Sequence, residues 1–235
     1  MDIIRTKEAF LEGQLLLIDK PLTWTSFQVV NKMRWAIRKE FDIKKIKVGH
    51  AGTLDPLATG LMLICTGRMT KQIAQFMGMH KTYTGSFRLG ATTPSYDLET
   101  SVSDPKPTDH ISAAMLEEVR ADFLGNIQQK PPIYAAIKKD GKRLYTLARA
   151  GKTIEIPSRE VQITDFELTD VNMPDVSFSI SCSKGTYIRS LAHDFGQKLG
   201  CGAHLTSLKR TAIGSYPLSA ALTLDAFLHS LEAKS

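Results

Sequence analysis

Gly49-His50-Ala51-Gly52-Thr53-Leu54-Asp55-Pro56-Leu57-Ala58-Thr59-Gly60 runs straight into Leu61-Met62-Leu63-Ile64-Cys65. The second stretch is a short unbroken apolar run, the pattern of a strand buried on both faces. The first packs three glycines, a histidine, an acid and a proline into the twelve residues ahead of it. Pro56 drives Asp55 toward extended backbone and offers no N–H of its own. The glycines permit positive φ or close backbone approach. The pattern describes a rigid loop presenting a carboxylate at the edge of a sheet. A turn stabilised by a capping aspartate would have the same neighbours, and the residues alone leave both readings open.

Working outward, Gln14 to Ile18 reads as a strand closed by Asp19-Lys20-Pro21. Thr82 to Leu89 alternates, with Tyr83, Gly85, Phe87 and Leu89 on one face, which is a strand signal. Val161–Leu168, Val176–Cys182 and Ala203–Ile213 also read as strands. A helix is predicted from Ser26 as cap, with Phe27, Val30, Met33 or Arg34, and Ile37 on one stripe. Further helices are predicted along Ile111, Met115, Val119 and Phe123, over 186–199 with Gly200 as stop, and around Leu224–Leu231. Residues 91–109, rich in Thr, Ser, Asp and Pro, read as a loop. A strand holding Ile133 and Ile137, a turn at Asp140-Gly141 and a helix over 144–150 complete the pass. Strands outnumber helices and come in antiparallel-looking pairs, so the expected fold class is α+β, a mixed α/β sheet protein. No convincing linker divides the chain, and residues 1–235 are expected to form a single domain.

The chain has 235 residues, of which 43% are apolar and 23% charged. That supports a full hydrophobic core and excludes a disordered chain. The apolar runs are far shorter than the ~20 residues of a membrane helix, and the first residues carry acids rather than a signal core. The expectation is therefore a cytoplasmic protein with no membrane association. Cys65, Cys182 and Cys201 form no CxxC pair, and the six histidines show no zinc-ligand spacing, which argues against a disulfide framework or a metal site. No P-loop and no GxSxG elbow is present. The net charge is +6, unevenly placed. Residues 1–90 hold 14 bases and 7 acids, residues 91–180 hold 10 and 14, and residues 181–235 hold 6 and 3. Between residues 31 and 47 there are seven bases against Glu40 and Asp42, with Trp35 and Phe41 among them. A basic surface of this kind suits a polyanion; a solvated helix face is the plain alternative.

Several blocks together resemble one family. Gly49 to Gly60 resembles the catalytic motif of TruB-type tRNA pseudouridine synthases. Leu16-Leu17-Ile18-Asp19-Lys20-Pro21, Lys81-Thr82-Tyr83, Lys184-Gly185-Thr186-Tyr187-Ile188-Arg189 and Gly200-Cys201-Gly202-Ala203-His204-Leu205 resemble its other blocks, in the family's order. The similarity spans roughly residues 14–214 and implies a pseudouridine-synthase-like fold, with a central, mostly antiparallel sheet flanked by helices. It implies isomerisation of a uridine in the tRNA T-arm, at tRNA position 55, to pseudouridine. The small C-terminal RNA-binding (PUA-type) domain of many members is expected to be absent.

By this resemblance Asp55 is the nucleophile, Arg189 its cationic partner, and Tyr83 the residue that stacks on the target base and helps remove the C5 proton. His50, Tyr187 and Leu208 line the substrate site. Lys44, Lys45 and Lys47 are expected to contact the RNA backbone, and Lys20 is expected either to be structural, near the site, or to make such a contact. The reaction breaks the N1 glycosidic bond, turns the base and rejoins it through C5. It needs no redox step and no imported group, so neither cofactor nor metal is expected. A carboxylate can hold the intermediate covalently, and the flipped base costs a few kcal/mol of unstacking. The expected partner is tRNA, through its T-arm stem-loop, with no obligatory protein partner and a monomeric state. The competing readings are an inactive RNA-binding or tRNA-folding factor on the same fold, and the guide-RNA-dependent branch of the superfamily.

Overall fold

The structure, a computed structural model, describes residues 3–134, 138–139, 142–143 and 156–232. The chain divides into two compact units, one of residues 1–83 and 208–235, the other of residues 84–207. Two strands, β4 (Lys81–Leu89) and β10 (Ala203–Ile213), contribute residues to both.

In the first unit, α1 (Lys7–Glu12) leads into β1 (Leu15–Lys20), α2 (Ser26–Glu40), β2 (Val48–His50), β3 (Ala58–Thr66) and α3 (Ile73–Gly78). β3 is the organising strand, nearly all of it buried. It pairs antiparallel with β1, Lys20 opposite Gly60, and antiparallel with β2, His50 opposite Ile64. It pairs parallel with β10, Leu208 opposite Ala58 and Arg210 opposite Gly60. β11 (Tyr216–Pro217) returns along β10, β12 (Leu222–Thr223) lies parallel to β1, and α6 (Leu224–Glu232) closes the unit. Leu61, Leu63 and Cys65 pack with Leu15, Leu17, Phe76 and Ile213 in one cluster.

The cap of α2 sits one residue earlier than predicted. Thr25 accepts from the Gln28 amide while the Gln28 side chain accepts from the Thr25 amide, a reciprocal capping box. Ser26 thereby becomes the first helical residue, and the buried stripe runs through Ser26, Val29, Val30, Met33 and Ile37. Phe27, predicted on that stripe, lies off it and is 67% exposed.

In the second unit, α4 (Ala113–Ala121), capped by Ser112, precedes β5 (Gly125–Gln129), β8 (Arg159–Asn172), β9 (Asp175–Cys182) and α5 (Ile188–Lys198). β5, β8 and β9 run antiparallel in that order, with two irregularities in the β8–β9 register. Phe87, Phe123, Phe166, Phe178 and Phe195 form an aromatic core. Two short strands, β6 (Lys138–Lys139) and β7 (Lys142–Arg143), pair antiparallel on either side of the predicted turn. The turn residues Asp140-Gly141, Ile137 and the helix predicted over 144–150 lie outside the described residues. The predicted fold class, α+β with a mostly antiparallel sheet, is borne out. No described helix is long and apolar enough to cross a membrane.

Candidate active site

In the first unit, residues 51–57 form the loop between β2 and β3, and outside residues hold it at several points. Ser26 reaches from the start of α2. Its hydroxyl donates to the Leu54 carbonyl (3.1 Å) and accepts from the Leu54 N–H (2.9 Å). The Thr23 amide donates to the Pro56 carbonyl (2.8 Å), and Thr23 itself adopts φ 70°. Arg210, 1% exposed, donates from Nε to the Leu61 carbonyl (2.7 Å) and from Nη2 to the Gly52 carbonyl (3.1 Å). It thus spans the loop and the strand that follows. Gly60 has φ 102°, and a Cβ there would lie 2.3 Å from the Arg210 carbonyl oxygen. Only glycine fits this crossing of β3 and β10.

Asp55 sits half-buried in this loop, where its own carbonyl accepts from the Ala58 amide (3.1 Å). Lys20, at the end of β1, is fully buried. Its Nζ donates to the carbonyls of Pro21 (2.9 Å), Trp24 (2.6 Å) and Pro56 (3.3 Å). Burial pushes the Lys20 pKa from 10.5 down to about 8, the Asp55 carboxylate pulls it back up, and Arg210 pushes it down again. Lys20 thus lies in the wall of the Asp55 loop. Its ammonium is enclosed by backbone carbonyls and bears on the electrostatics of that loop.

His50 is half-buried at the loop's entry, and burial pushes its imidazole below its ordinary pKa. The Gly52 backbone opposes that shift and Arg210 adds to it. Among the described residues, His50 Nδ1 is buried without a hydrogen-bond partner. Leu208 is half-buried opposite Ala58, the first residue after the loop. Tyr83 lies on the buried face of β4 with Lys81, as its alternation implied. Lys44, Lys45 and Lys47 are all exposed, with Ile43, Ile46 and Val48 turned inward between them.

In the second unit, Arg189 is the second residue of α5 and 3% exposed. Nη1 donates to the Ser95 carbonyl (3.0 Å) and Nη2 to the Tyr134 carbonyl (3.3 Å). Nε lies 3.6 Å from Asp97 Oδ2, close enough for an ion pair but too long for a hydrogen bond. Asp97 is itself buried, and its other carboxylate oxygen accepts from the Glu99 amide (3.0 Å). Tyr187 is the N-cap of α5. The Gln129 side chain brackets it, accepting from the Tyr187 N–H (2.8 Å) and donating to its carbonyl (3.0 Å). The Arg159 guanidinium lies over the Tyr187 ring, 4.7 Å from its centroid, and donates to the Gly185 carbonyl. Tyr96 stacks on His193 at 3.9 Å, and burial lifts the neighbouring Asp194 to about 6.

Thus His50, Asp55, Lys20 and Leu208 gather around one loop of the first unit, and Arg189 and Tyr187 begin one helix of the second. The reading from sequence did not single out Arg210, Asp97, Gln129 or Arg159. Nothing local marks them, because their partners lie far away in the chain.

Residues 38–188 match the TruB family pseudouridylate synthase N-terminal domain, and residues 189–235 match the tRNA pseudouridylate synthase B C-terminal domain. The chain belongs to the TruB family of pseudouridylate synthases. The match runs past Gly214, where the sequence blocks ended, to residue 235. The chain is 56% identical over 228 residues to the tRNA pseudouridine synthase B of Flavobacterium johnsoniae, covering 97% of this chain and 100% of that one. It is 50% identical to the tRNA pseudouridine synthase B of Phocaeicola vulgatus, over 93% of each. Among solved structures it is similar to a crystal structure of a Cbf5–Nop10–Gar1 complex, with a TM-score of 0.69 and 27% identity. That similarity covers 94% of this chain and 54% of the solved one, so this chain spans about half its length.

Proposed function

We propose that this chain isomerises the uridine at tRNA position 55, in the T-arm, to pseudouridine, with Asp55 as nucleophile and without cofactor or metal. The observation that carries the reading is the Asp55 loop itself. The backbone of the short loop that carries this carboxylate is fixed by Ser26, Thr23 and Arg210, and the buried Lys20 ammonium interacts electrostatically with Asp55. A nucleophile carried on a fixed backbone has less orientational freedom to lose than one on a mobile loop, and the Lys20 ammonium favours the ionised carboxylate the attack requires.

In this reading the target uridine is turned out of the T-loop and stacked on Tyr83, with Leu208 and His50 beside the base; the resemblance adds Tyr187 as a base-contacting residue. The Asp55 carboxylate bonds to the nucleotide, the N1–C1′ bond breaks, and the uracil rotates. The C5–C1′ bond then forms, the C5 proton leaves with help from Tyr83, and the carboxylate is released. The family resemblance assigns Arg189 the part of cationic partner to the nucleophile. Lys44, Lys45 and Lys47 hold the RNA backbone. Residues 1–235 act as one catalytic domain, in the cytoplasm, as a monomer and without a protein partner. An RNA-binding factor without catalysis has no use for a nucleophile, an aromatic base platform and a buried guanidinium together, so the enzyme reading is preferred.

The test is an unmodified tRNA transcript carrying tritium at uracil C5, incubated with the purified chain alone. Release from the T-loop uridine is expected, and Asp55→Asn should abolish it while tRNA binding persists. A mutant releasing tritium at the wild-type rate would falsify the role of Asp55.

A further inference from the structure

We propose that the outward face of α2 is a second RNA contact, in which Trp35 stacks on an unpaired base and Lys32 and Lys39 hold the flanking phosphates. This rests on the reading that the substrate is tRNA and adds a surface that the Asp55 loop does not provide.

α2 buries Val29, Val30, Met33 and Ile37 and turns Trp35 outward, 55% exposed. The Trp35 ring carries two ammonium groups, Lys32 Nζ 5.2 Å and Lys39 Nζ 5.1 Å from its centroid. Each contact attracts cation to ring, yet the two cations on one indole repel each other. A polyanion removes that repulsion and leaves an aromatic face free to stack. Lys32 and Lys39 are seven residues apart, which at ~1.5 Å per residue sets them roughly 10 Å apart along the helix with the indole between.

Charge selects the occupant. Residues 31–47 hold seven bases against two acids. Lys32, Lys39, Lys44, Lys45 and Lys47 make no ion pair among the described residues. A protein-docking face needs a desolvated apolar centre. Here the other exposed aromatic, Phe27, lies about 12 Å along the helix from Trp35, so no continuous apolar patch forms. An aromatic ringed by unpaired cations is the arrangement that takes single-stranded RNA.

The same helix is fastened to the catalytic loop through Ser26 and Leu54. Nine residues separate Ser26 from Trp35, roughly 13 Å of helix. That is about four steps at the ~3.4 Å per-strand charge spacing of a duplex, within the reach of one stem-loop.

The test measures binding of an unmodified tRNA transcript across a salt series, in the Asp55→Asn background, with tritium release by the unsubstituted chain run alongside. Trp35→Ala should weaken binding about five-fold or more, and Trp35→Phe, which keeps a stacking ring, should restore most of it. Lys32→Gln with Lys39→Gln should flatten the slope of log K against log salt by about 1.5. Because the Trp35 side chain is exposed, these variants leave the core intact. As a check independent of affinity, tRNA should quench tryptophan emission more in the Trp35 protein than in Trp35→Phe. Unchanged affinity, slope and quench in the variants would overturn the inference, and capture of a protein on this face with no effect on tRNA would do the same. If tritium release is normal in that case, only this surface is lost. If tritium release is absent but Trp35→Ala weakens binding, the surface stands and the catalytic reading falls.

Discussion

Replacing Lys20 by methionine isolates the electrostatic cost of the Asp55 loop. Lys20 is fully buried, and its pKa falls from 10.5 to about 8, chiefly because burial disfavours the charged form. At ~1.4 kcal/mol per pH unit, that gap corresponds to about 3 kcal/mol. Below pH 8 the lysine is protonated both folded and unfolded, and the native state bears the whole penalty. Between pH 8 and 10.5 the unfolded chain binds more protons than the folded one, so stability contributed at this site rises with pH. Above 10.5 neither state holds the proton and the penalty is gone. Urea unfolding of the wild type and Lys20→Met, compared at intervals from pH 7 to 10.5, should show the wild type gaining on the variant by about 3 kcal/mol. Comparing the two proteins cancels the titration of surface lysines and tyrosines. A difference that stays flat across the range would refute the argument, because it would mean that Lys20 titrates alike in both states.

Three further outcomes follow from the geometry. Gly60→Ala should destabilise the protein by more than about 2 kcal/mol in the same unfolding assay, because its Cβ would meet the Arg210 carbonyl oxygen and amide at 2.3 and 2.7 Å, backbone atoms that cannot swing aside. Asp97→Asn removes a buried counter-charge of Arg189 and should lower stability by about 3 kcal/mol; it should also slow single-turnover tritium release more than it weakens tRNA binding. Lys44→Gln, Lys45→Gln and Lys47→Gln combined should weaken tRNA binding and lower its salt slope by about 2, and an unchanged slope would reject the phosphate role of these exposed side chains.

What could be read in advance depended on whether a residue's partners lie nearby in the chain. The alternation through Tyr83, Phe87 and Leu89 located β4, because one face of it is buried. The cap of α2 was missed by one position because Thr25 and Ser26 are chemically equivalent caps; the reciprocal bonds of Gln28 select Thr25. β5 escaped because Gly125-Asn126-Ile127-Gln128-Gln129 has almost no apolar pattern and lies at a sheet edge, held by β8. The loop around Asp55 was legible through its glycines and proline. The burial of Lys20 was not, since one of the carbonyls enclosing its ammonium comes from Pro56, thirty-six residues away. The role of Arg210 was not legible for the same reason: its guanidinium closes on Gly52 and Leu61 across most of the chain.

The latch between Ser26 and Leu54 has a practical corollary for engineering. The reactive loop owes its shape to a hydroxyl, an ammonium and a guanidinium that all lie outside it in sequence. Residues 49–60 are therefore not a transplantable cassette. Grafted onto another sheet without counterparts of Lys20, Ser26 and Arg210, the segment would keep its letters and lose its form.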